Sequence, residues 1–437
     1  MMSKVYGELF TDEYQKSLMA QFCYGNEDPD YGHRLFFENS GGSLRLRRAV
    51  EAKSALEAFP DCPERNRGRG FGIGQKYVVG GTKDILETVF GAKSGALVTE
   101  LSASQCMFHA VGAIMEGVKW GTNAVTTLLE HPSAHDAVEY YAAKTGREFR
   151  EVPANPATGG IEVEEVLKYV DKDTVLVSVM AASNISGNIM DIKEICRRVH
   201  EINPEIYVIS DAVQHAPHAV IDVEDWGVDV CNFAPYKFFG VRGCGYAFVS
   251  DRVATLPHPK LTKKDANVWA LGTPTPGNFA AIMAVIDYVC EIGAHFLGEG
   301  VTDRRTLFVE GMNRIHNQER GLLFRMLEGT DEVPGLRHIP GVEIYTDIED
   351  LTKKDLIVAM GIKGMEYAKI SEAYLAKGVT VFERVRASIY SQRIVDTLNI
   401  PGAIRVSPLH CHGREEIDEY LRVTAEIAKA AGNTAAE

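Results

Sequence analysis

Short apolar runs separated by helical patterns occupy the middle of the chain. The runs are typical of buried strands and lie at 95–100, 123–129, 174–181, 206–210, 228–233 and 244–250. Between several of them the apolar residues recur with helical spacing, as in MDIKEICRRVHEI over 190–202. Strands that alternate with helices predict an α/β fold with a mostly parallel, doubly wound sheet, whose ligand sites lie at the carboxyl ends of the strands.

The pattern changes after about residue 300. A long helical pattern at 303–328 precedes strands predicted at 342–346, 355–360, 379–383 and 403–407, with helices at 366–377 and 415–431 between and after them. We therefore predict three parts: an N-terminal arm over 1–45, a large domain over 46–300 that holds the main sheet, and a smaller C-terminal α+β domain over 301–437.

Composition and charge narrow the class of protein. The chain is 45% hydrophobic and 24% charged, which is typical of a soluble globular protein. Its formal net charge of -14 repels phosphate backbones, so we expect no nucleic-acid partner. No signal peptide is evident, and the long apolar stretch from Phe279 carries Asp287 and Glu291, so we expect no membrane partner. Eight cysteines without paired spacing indicate a reducing, cytoplasmic compartment.

Two charged side chains follow neighbouring predicted strands. Asp211 ends the run IYVISD, and Lys237 follows the next run, beside Tyr236 and two phenylalanines. In isolation, a carboxylate at a strand end can cap a helix, and a lysine stem can cover apolar surface. Together they are the pair that a pyridoxal phosphate (PLP) enzyme needs, because a desolvated amine condenses with an aldehyde and a carboxylate holds the pyridine nitrogen.

A third segment supplies a candidate phosphate site. ELSASQ places Ser102, Ala103 and Ser104 after a strand and at the start of a helical pattern, where backbone N–H groups bind phosphate without a charged side chain. The alternative is an ordinary N-cap serine. By contrast, GRGFGIGQKYVVGG contains no dinucleotide-binding frame and follows no strand, so we expect neither nicotinamide nor flavin.

These segments resemble those of the fold-type I PLP enzymes of the class V aminotransferase and cysteine desulfurase superfamily, over roughly residues 35–430. SDAVQH resembles the family's D-x-x-Q, which implies that Asp211 pairs with the pyridine nitrogen and that Gln214 approaches the ring's 3-oxygen. PYKFFGVRG resembles the lysine segment, which implies a Schiff base between the cofactor and Lys237 and a phosphate contact at Tyr236.

Other segments imply the rest of the cofactor site. LSASQ resembles the phosphate loop and adds Gln105 to its neighbours. LEHPSAH resembles the segment whose histidine stacks on the ring and shuttles protons, which implies this role for His131, with His135 as a second candidate. SNISGN implies that Asn184 lies beside the ring oxygen. LGTPTPG resembles the element that reaches the phosphate of a neighbouring subunit, which implies a homodimer and a cross-subunit contact by Thr273.

The substrate side follows from three more segments. IRVSPLHCHGREEID implies that Arg405 binds the substrate carboxylate, a role that suits a planar, permanently charged group. FFENSGGS, which contains Asn39, resembles the segment that lines the substrate side, and NRGRG over 66–70 resembles a loop near the site. We expect no metal site at HCH over 410–412, because adjacent residues of a strand point to alternate faces.

The chain departs from the family pattern before Arg405. Cysteine desulfurases carry a nucleophilic cysteine in the segment that corresponds to 383–405, whereas this segment has none and instead holds Arg384, Arg386 and Tyr390. Cys411 follows Arg405 and would need a different geometry.

The resemblance therefore implies a PLP-dependent enzyme that acts on an amino acid through a Schiff base between substrate and cofactor. Desulfurase-like lyase chemistry at a C–S or C–Se bond, without the usual persulfide cysteine, is the favoured reaction. A class V aminotransferase or an amino-acid epimerase is the alternative. A PLP-binding scaffold without turnover is disfavoured, because Lys237, Asp211, His131 and Arg405 are all present.

Overall fold

A seven-stranded sheet forms the centre of the chain. The computed structural model describes residues 6–59 and 69–433. The strands of the sheet are β1 (Ala96–Glu100), β2 (Asn123–Thr127), β3 (Glu148–Val152), β4 (Thr174–Ser178), β5 (Tyr207–Asp211), β6 (Val230–Phe233) and β7 (Gly245–Val249). They lie in the order β1-β7-β6-β5-β4-β2-β3, and only β7 runs antiparallel to its neighbours. The predicted α/β fold with a mostly parallel sheet is thereby confirmed.

Helices cover both faces of this sheet and continue into the second half of the chain. The longer ones are α1 (Asp12–Met19), α2 (Arg47–Glu57), α3 (Ala103–Gly117), α4 (Pro132–Thr145), α5 (Ile192–Ile202), α6 (Pro276–Leu297), α7 (Arg304–Glu328), α8 (Tyr367–Leu375) and α9 (Arg414–Ala430). Short helices lie at Arg69–Ile73, Gly80–Asp84, Val163–Leu167, Val223–Trp226, Asp251–Ala254 and Gln392–Thr397. The helix α6 is long and apolar enough to cross a membrane, but it packs between α2 and α7.

A smaller antiparallel sheet lies in the C-terminal part. Its strands are β8 (Val342–Tyr345), β9 (Val358–Ile362), β10 (Phe382–Arg384) and β11 (Ala403–Val406), in the order β8-β9-β11-β10. The N-terminal arm joins this part, because residues 35–36 pair with 379–380. The helix α7 contributes Phe308 and Met312 to the core of the large sheet and Leu322 and Leu327 to the core of the small one, so one rigid helix links the two cores.

The site lies where the parallel strands of the large sheet end. Asp211 is the last residue of β5, and the turn Pro235–Lys237 follows β6 directly. Because β7 is antiparallel, its first residue, Gly245, lies opposite Glu100 at the end of β1. The carboxyl edge of the sheet therefore collects residues that are far apart in the sequence, which is the usual site of ligands in open α/β sheets.

The arm holds the lysine turn in place. The Ser43 N–H donates to the carbonyl of Tyr236 over 3.1 Å, and the Phe239 N–H donates to Ser43 Oγ over 2.9 Å. Phe239 has a φ of 58°, an uncommon value for a large side chain, which the two hydrogen-bonded flanks stabilise. The backbone that carries Lys237 is therefore fixed from two sides.

Candidate active site

A cavity of about 520 Å³ opens at the carboxyl edge of the large sheet. The structure brings together around it the predicted residues Lys237, Asp211, His131, Ser102, Ala103, Ser104, Asn184, Gln214 and Tyr236. Four further residues complete the lining: Ser133, Met180, Val213 and Ala234. The predicted residues Gln105, Thr273, Arg405 and Asn39 do not line it.

Lys237 is a buried amine on the cavity wall. Burial and, to a smaller extent, the nearby positive charge of Arg405 lower its pKa to about 8, against the opposing effect of Asp211. A substantial fraction of the amine is therefore neutral near physiological pH, and only a neutral amine can attack a carbonyl carbon.

Two buried carboxyl groups, Asp211 and Glu130, influence each other, and their environments give them different roles. Burial raises the pKa of Asp211, whereas a hydrogen bond from the Val213 N–H over 3.0 Å and the charge of Lys237 favour its ionised form. Burial and, to a smaller extent, the negative charge of Asp211 raise the pKa of Glu130 to about 8. Glu130 therefore holds a proton at neutral pH, which leaves Asp211 as the anion available to a cationic ring nitrogen.

His131 presents a neutral ring to the cavity. Its Nδ1 accepts the Ser133 N–H over 3.2 Å as the N-cap of α4, so the proton of the neutral ring lies on Nε2. Burial and, to a smaller extent, the positive charge of Lys237 lower the pKa of His131 to about 3. The ring of Tyr390 stacks against it at a centroid distance of 5.9 Å and an angle of 22°. A flat, uncharged ring held in this way suits stacking on an aromatic ligand.

The start of α3 forms an anion cradle. Ser102 is its N-cap, with Oγ accepting the Gln105 N–H over 3.2 Å, and the N–H groups of the first turn have no acceptor within the helix. A Cβ on Gly245 would lie 2.2 Å from the backbone nitrogen of Ala103, so only glycine allows β7 to approach the cradle this closely. The Gln105 side chain is exposed outside the cavity, so its structural contribution here is the backbone N–H.

Two unpaired polar atoms support a polar ligand in the cavity. Asn184 Oδ1 and Gln214 Oε1 are buried without a hydrogen-bond partner, and both residues line the cavity. An unpartnered buried amide oxygen costs on the order of 1–3 kcal/mol, which a ligand that bonds to it recovers. The lining therefore fits PLP: an anion cradle for the phosphate, Asp211 for the ring nitrogen, amides for the ring oxygen and an amine for the aldehyde.

Arg405 lies behind the cavity in a buried ion pair. Its Nε and Nη2 donate to the Glu38 carboxylate, and its Nη1 donates to the Asn184 carbonyl over 2.9 Å. Arg384 also donates to Glu38, so one carboxylate is shared by two guanidinium groups. The predicted contact between Arg405 and a substrate carboxylate stays a prediction, and in this structure Glu38 holds that position.

Asn39 and Thr273 lie outside the cavity lining. The Asn39 amide donates to the carbonyls of Phe36 and Ser407 and accepts the Leu44 N–H, so it fastens the arm to the strand that carries Arg405. Thr273 is exposed in the loop before α6. Its predicted contact with a neighbouring subunit stays a prediction.

No cysteine among the described residues lines the cavity. Cys411 is fully buried, and burial raises the pKa of its thiol well above the ordinary value, so it is a structural residue rather than a nucleophile. Cys62 and most of the predicted NRGRG loop lie outside the described residues. His135 is also remote from the cavity, because its Nε2 pairs with Glu151 at 2.8 Å.

Sequence reasoning missed the apolar lining residues and the two buried acids. Met180, Val213 and Ala234 are ordinary strand-end residues that carry no chemical signal. Glu38 and Glu130 had a signal, since each is an acid beside an apolar run, and such acids are seldom buried without a partner.

Comparisons with known proteins agree with this geometry. A model of the class V aminotransferase family matches residues 78–321, which is more than half of the chain. The chain belongs to the class V aminotransferase family. It is therefore a PLP-dependent enzyme of that family, as the sequence analysis predicted.

Relatives within the class V aminotransferase family include desulfurases and lyases. The selenocysteine lyase of Rattus norvegicus is 32% identical over 38% of this chain and 42% of its own length. A probable cysteine desulfurase of Mycoplasma genitalium is 23% identical over 83% of this chain and 91% of its own. The solved cysteine desulfurase of Thermococcus onnurineus NA1 has a TM-score of 0.80 and 21% identity, and covers 97% of this chain and 100% of its own; it supports the fold.

Proposed function

We propose that this class V enzyme is a lyase that breaks a C–S or C–Se bond of an amino acid without a cysteine persulfide. The observation that carries the proposal is the cavity in which Lys237, Asp211 and His131 meet while no described cysteine reaches it. Relatives that are a selenocysteine lyase and cysteine desulfurases support this bond type.

The chain's own groups supply the proton transfers. When bound, PLP withdraws electrons from the bonds at the substrate Cα. Lys237 Nζ, neutral at its lowered pKa, removes the Cα proton and holds it. Asp211 would balance positive charge at the nitrogen of the cofactor ring, and the uncharged ring of His131 would stack on the cofactor. Because no cysteine among the described residues lines the cavity to accept sulfur, the C–S bond would break with its electron pair on sulfur, which leaves as sulfide.

The decisive experiment is a product assay on the PLP-loaded protein. Cysteine, selenocysteine and S-substituted cysteines are supplied with and without a keto acid, and we expect sulfide or selenide, pyruvate and ammonia without the keto acid. Products that form only with the keto acid would show an aminotransferase instead. Racemised substrate would show an epimerase. Lys237→Ala is the control that should abolish every product, and Asp211→Asn should lower kcat about 100-fold or more.

We further propose that the enzyme is a cytoplasmic homodimer in which Thr273 contacts the cofactor phosphate of the neighbouring subunit. Its exposed position, next to the exposed Leu271, supports a contact with a second chain. Size-exclusion chromatography with light scattering tests the dimer directly.

A further inference from the structure

Behind Gln214, on the side away from the cavity, lies a buried series of polar side chains. Gln214 Nε2 is 3.3 Å from Ser40 Oγ and 3.5 Å from His218 Nε2. His218 Nδ1 is 2.7 Å from Glu319 Oε2, and Glu319 Oε1 accepts the His410 N–H over 3.0 Å. Gln214, His218 and Glu319 are each no more than 4% exposed. None of the described contacts of the cavity explains why the chain buries this acid and this imidazole.

The two buried groups form an ion pair in which burial raises the pKa of Glu319 and the charge of His218 offsets part of that rise. Burial alone would lower the pKa of His218, but the charge of Glu319 and the hydrogen bond to it outweigh burial, so the pKa is raised. His218 is also influenced by Asp355, which favours its charged form, and by Lys237, which opposes it. His410, next to Glu319, is neutral because burial lowers its pKa to about 3. A charged His218 donates from both ring nitrogens.

A charged His218 determines how the Gln214 amide must be oriented. With Nε2 of Gln214 placed toward His218 Nε2, two donors face each other and Gln214 Oε1 is left without a partner. The two ends of an amide have nearly the same shape, so their assignment follows from the hydrogen-bond network. Exchanging them lets Oε1 accept from His218 Nε2 and Ser40 Oγ. The NH₂ group of Gln214 then takes the position in which Oε1 had no hydrogen-bond partner, and Gln214 lines the cavity.

We propose that His218 and Glu319 are positioning residues that fix the Gln214 amide with its NH₂ group toward the cavity, where it donates a hydrogen bond to the 3-oxygen of the PLP ring. The inference rests on the cofactor part of the proposed function and is independent of which bond of the substrate breaks. The buried pair thereby makes Gln214 a donor, and not an acceptor, toward the cofactor.

A second buried pair in the same region provides a matched control. His215 Nδ1 lies 2.9 Å from Asp355 Oδ2, and these residues are 5% and 1% exposed. Like His218, His215 lies in the segment after β5 and pairs with an acid from another part of the chain. Unlike His218, it has no hydrogen bond to Gln214. Neutralising either pair should cost stability, whereas the cofactor should respond mainly to the pair that is hydrogen-bonded to Gln214.

The experiment compares Glu319→Gln with Asp355→Asn in the PLP-loaded protein. A hydrogen bond donated to the 3-oxygen stabilises its anionic form and so lowers the pKa of the nitrogen that joins Lys237 to the cofactor. Glu319→Gln should therefore move the pH midpoint of the visible absorbance band upward, by about one unit. It should also weaken PLP binding about fivefold, measured by fluorescence quenching. Asp355→Asn should move both values much less, because Asp355 acts on His218 only through its charge and makes no hydrogen bond to it or to Gln214.

Two further variants separate positioning from folding. His218→Asn should reproduce the shift of Glu319→Gln, and it provides the measurement if Glu319→Gln does not fold. In a Gln214→Ala background, Glu319→Gln should add no further shift, because the pair acts through Gln214. Two results would overturn the inference and leave the cofactor proposal intact. One is a shift that adds to that of Gln214→Ala, and the other is a band that Glu319→Gln leaves unmoved. A wild-type protein without a visible band would overturn the cofactor proposal as well.

Discussion

At the scale of single residues, burial decides the chemistry of the site. Lys237 and Glu130 would be charged in water at neutral pH, and burial favours their neutral forms because the charged form loses its hydration. Burial also keeps the His131 ring uncharged well below neutral pH. Burial raises the pKa of Asp211 as well, but the Val213 N–H and the charge of Lys237 oppose that shift and favour its anion. The cavity therefore offers one anion, one amine and one uncharged ring to a cofactor.

The lowered pKa of Lys237 predicts how PLP attaches to the protein. In cofactor-free protein, the attachment rate should rise with pH up to about 8 and then level off, because the neutral amine is the reactive form. Stopped-flow absorbance after mixing with PLP measures this profile, and borohydride reduction followed by peptide mass spectrometry locates the bond.

Lys354 is the internal control for this prediction. Burial lowers its pKa to about 8 as well, but its Nζ donates to the Thr346 carbonyl over 3.2 Å and it does not line the cavity. The reduced label should therefore be found on Lys237 and not on Lys354. Labelling of both would mean that a lowered pKa, and not the cavity, selects the lysine.

The ion pair between Glu38 and Arg405 predicts a stability effect. Glu38→Gln removes the charge that compensates a guanidinium that is 1% exposed, so the free energy of unfolding should fall by about 3 kcal/mol. Urea denaturation followed by circular dichroism measures the loss. Asp418→Asn, which breaks the more accessible pair with Arg325, should cost about 1 kcal/mol or less. Equal losses in both variants would contradict the argument from burial.

At the scale of elements, the site depends on how closely strand β7 approaches helix α3. A Cβ on Gly245 would come within 2.3 Å of the Ser102 carbonyl carbon, a backbone atom that cannot move independently of the cradle. Gly245→Ala should therefore weaken PLP binding at least about tenfold, measured by fluorescence titration. Gly72→Ala, at an exposed position with no atom within 4 Å, should bind PLP as the wild type does. Wild-type affinity in both would show that the cradle tolerates displacement.

The elements of the large sheet could be predicted from sequence because most of its strands are buried. The apolar runs at 174–181 and 206–210 correspond to β4 and β5, which are buried throughout. The edge strand β3, with the sequence EFREV, was missed because its outer face is exposed and carries charged residues. The prediction at 379–383 merged two pairings into one strand: residues 379–380 pair with the arm, and β10 pairs with β11.

The site residues that could be predicted from the sequence are polar residues at the ends of strands. The residues that are paired only through long-range contacts of the fold could not be predicted. Asp211 and Lys237 stand at such ends, so the parallel sheet alone brings them together. No sequence pattern shows that Arg405 is neutralised by Glu38, because that contact joins the arm to β11 across most of the chain. Long-range ion pairs follow from the folded geometry of several elements and leave no local signal.

At the scale of the whole molecule, Thr273 is predicted to reach the cavity of a second chain, and it does not line the cavity of its own. Thr273 is exposed, and the exposed Leu101 and Leu271 lie near the ends of the segments that carry the cradle and this threonine. Exposed leucines on both segments are consistent with a surface that a second copy of the chain covers.

Mixing two inactive variants tests this shared site. Lys237→Ala removes the amine, and Thr273→Asp places a negative charge where the phosphate would bind, so each homodimer should be inactive. A heterodimer combines one intact Lys237 with an intact Thr273 from its partner, which makes one complete site. Unfolding and refolding an equal mixture should therefore restore about a quarter of the wild-type activity, since half of the dimers are mixed and each has one good site. Activity that stays at the level of the separate variants would place Thr273 in the site of its own chain.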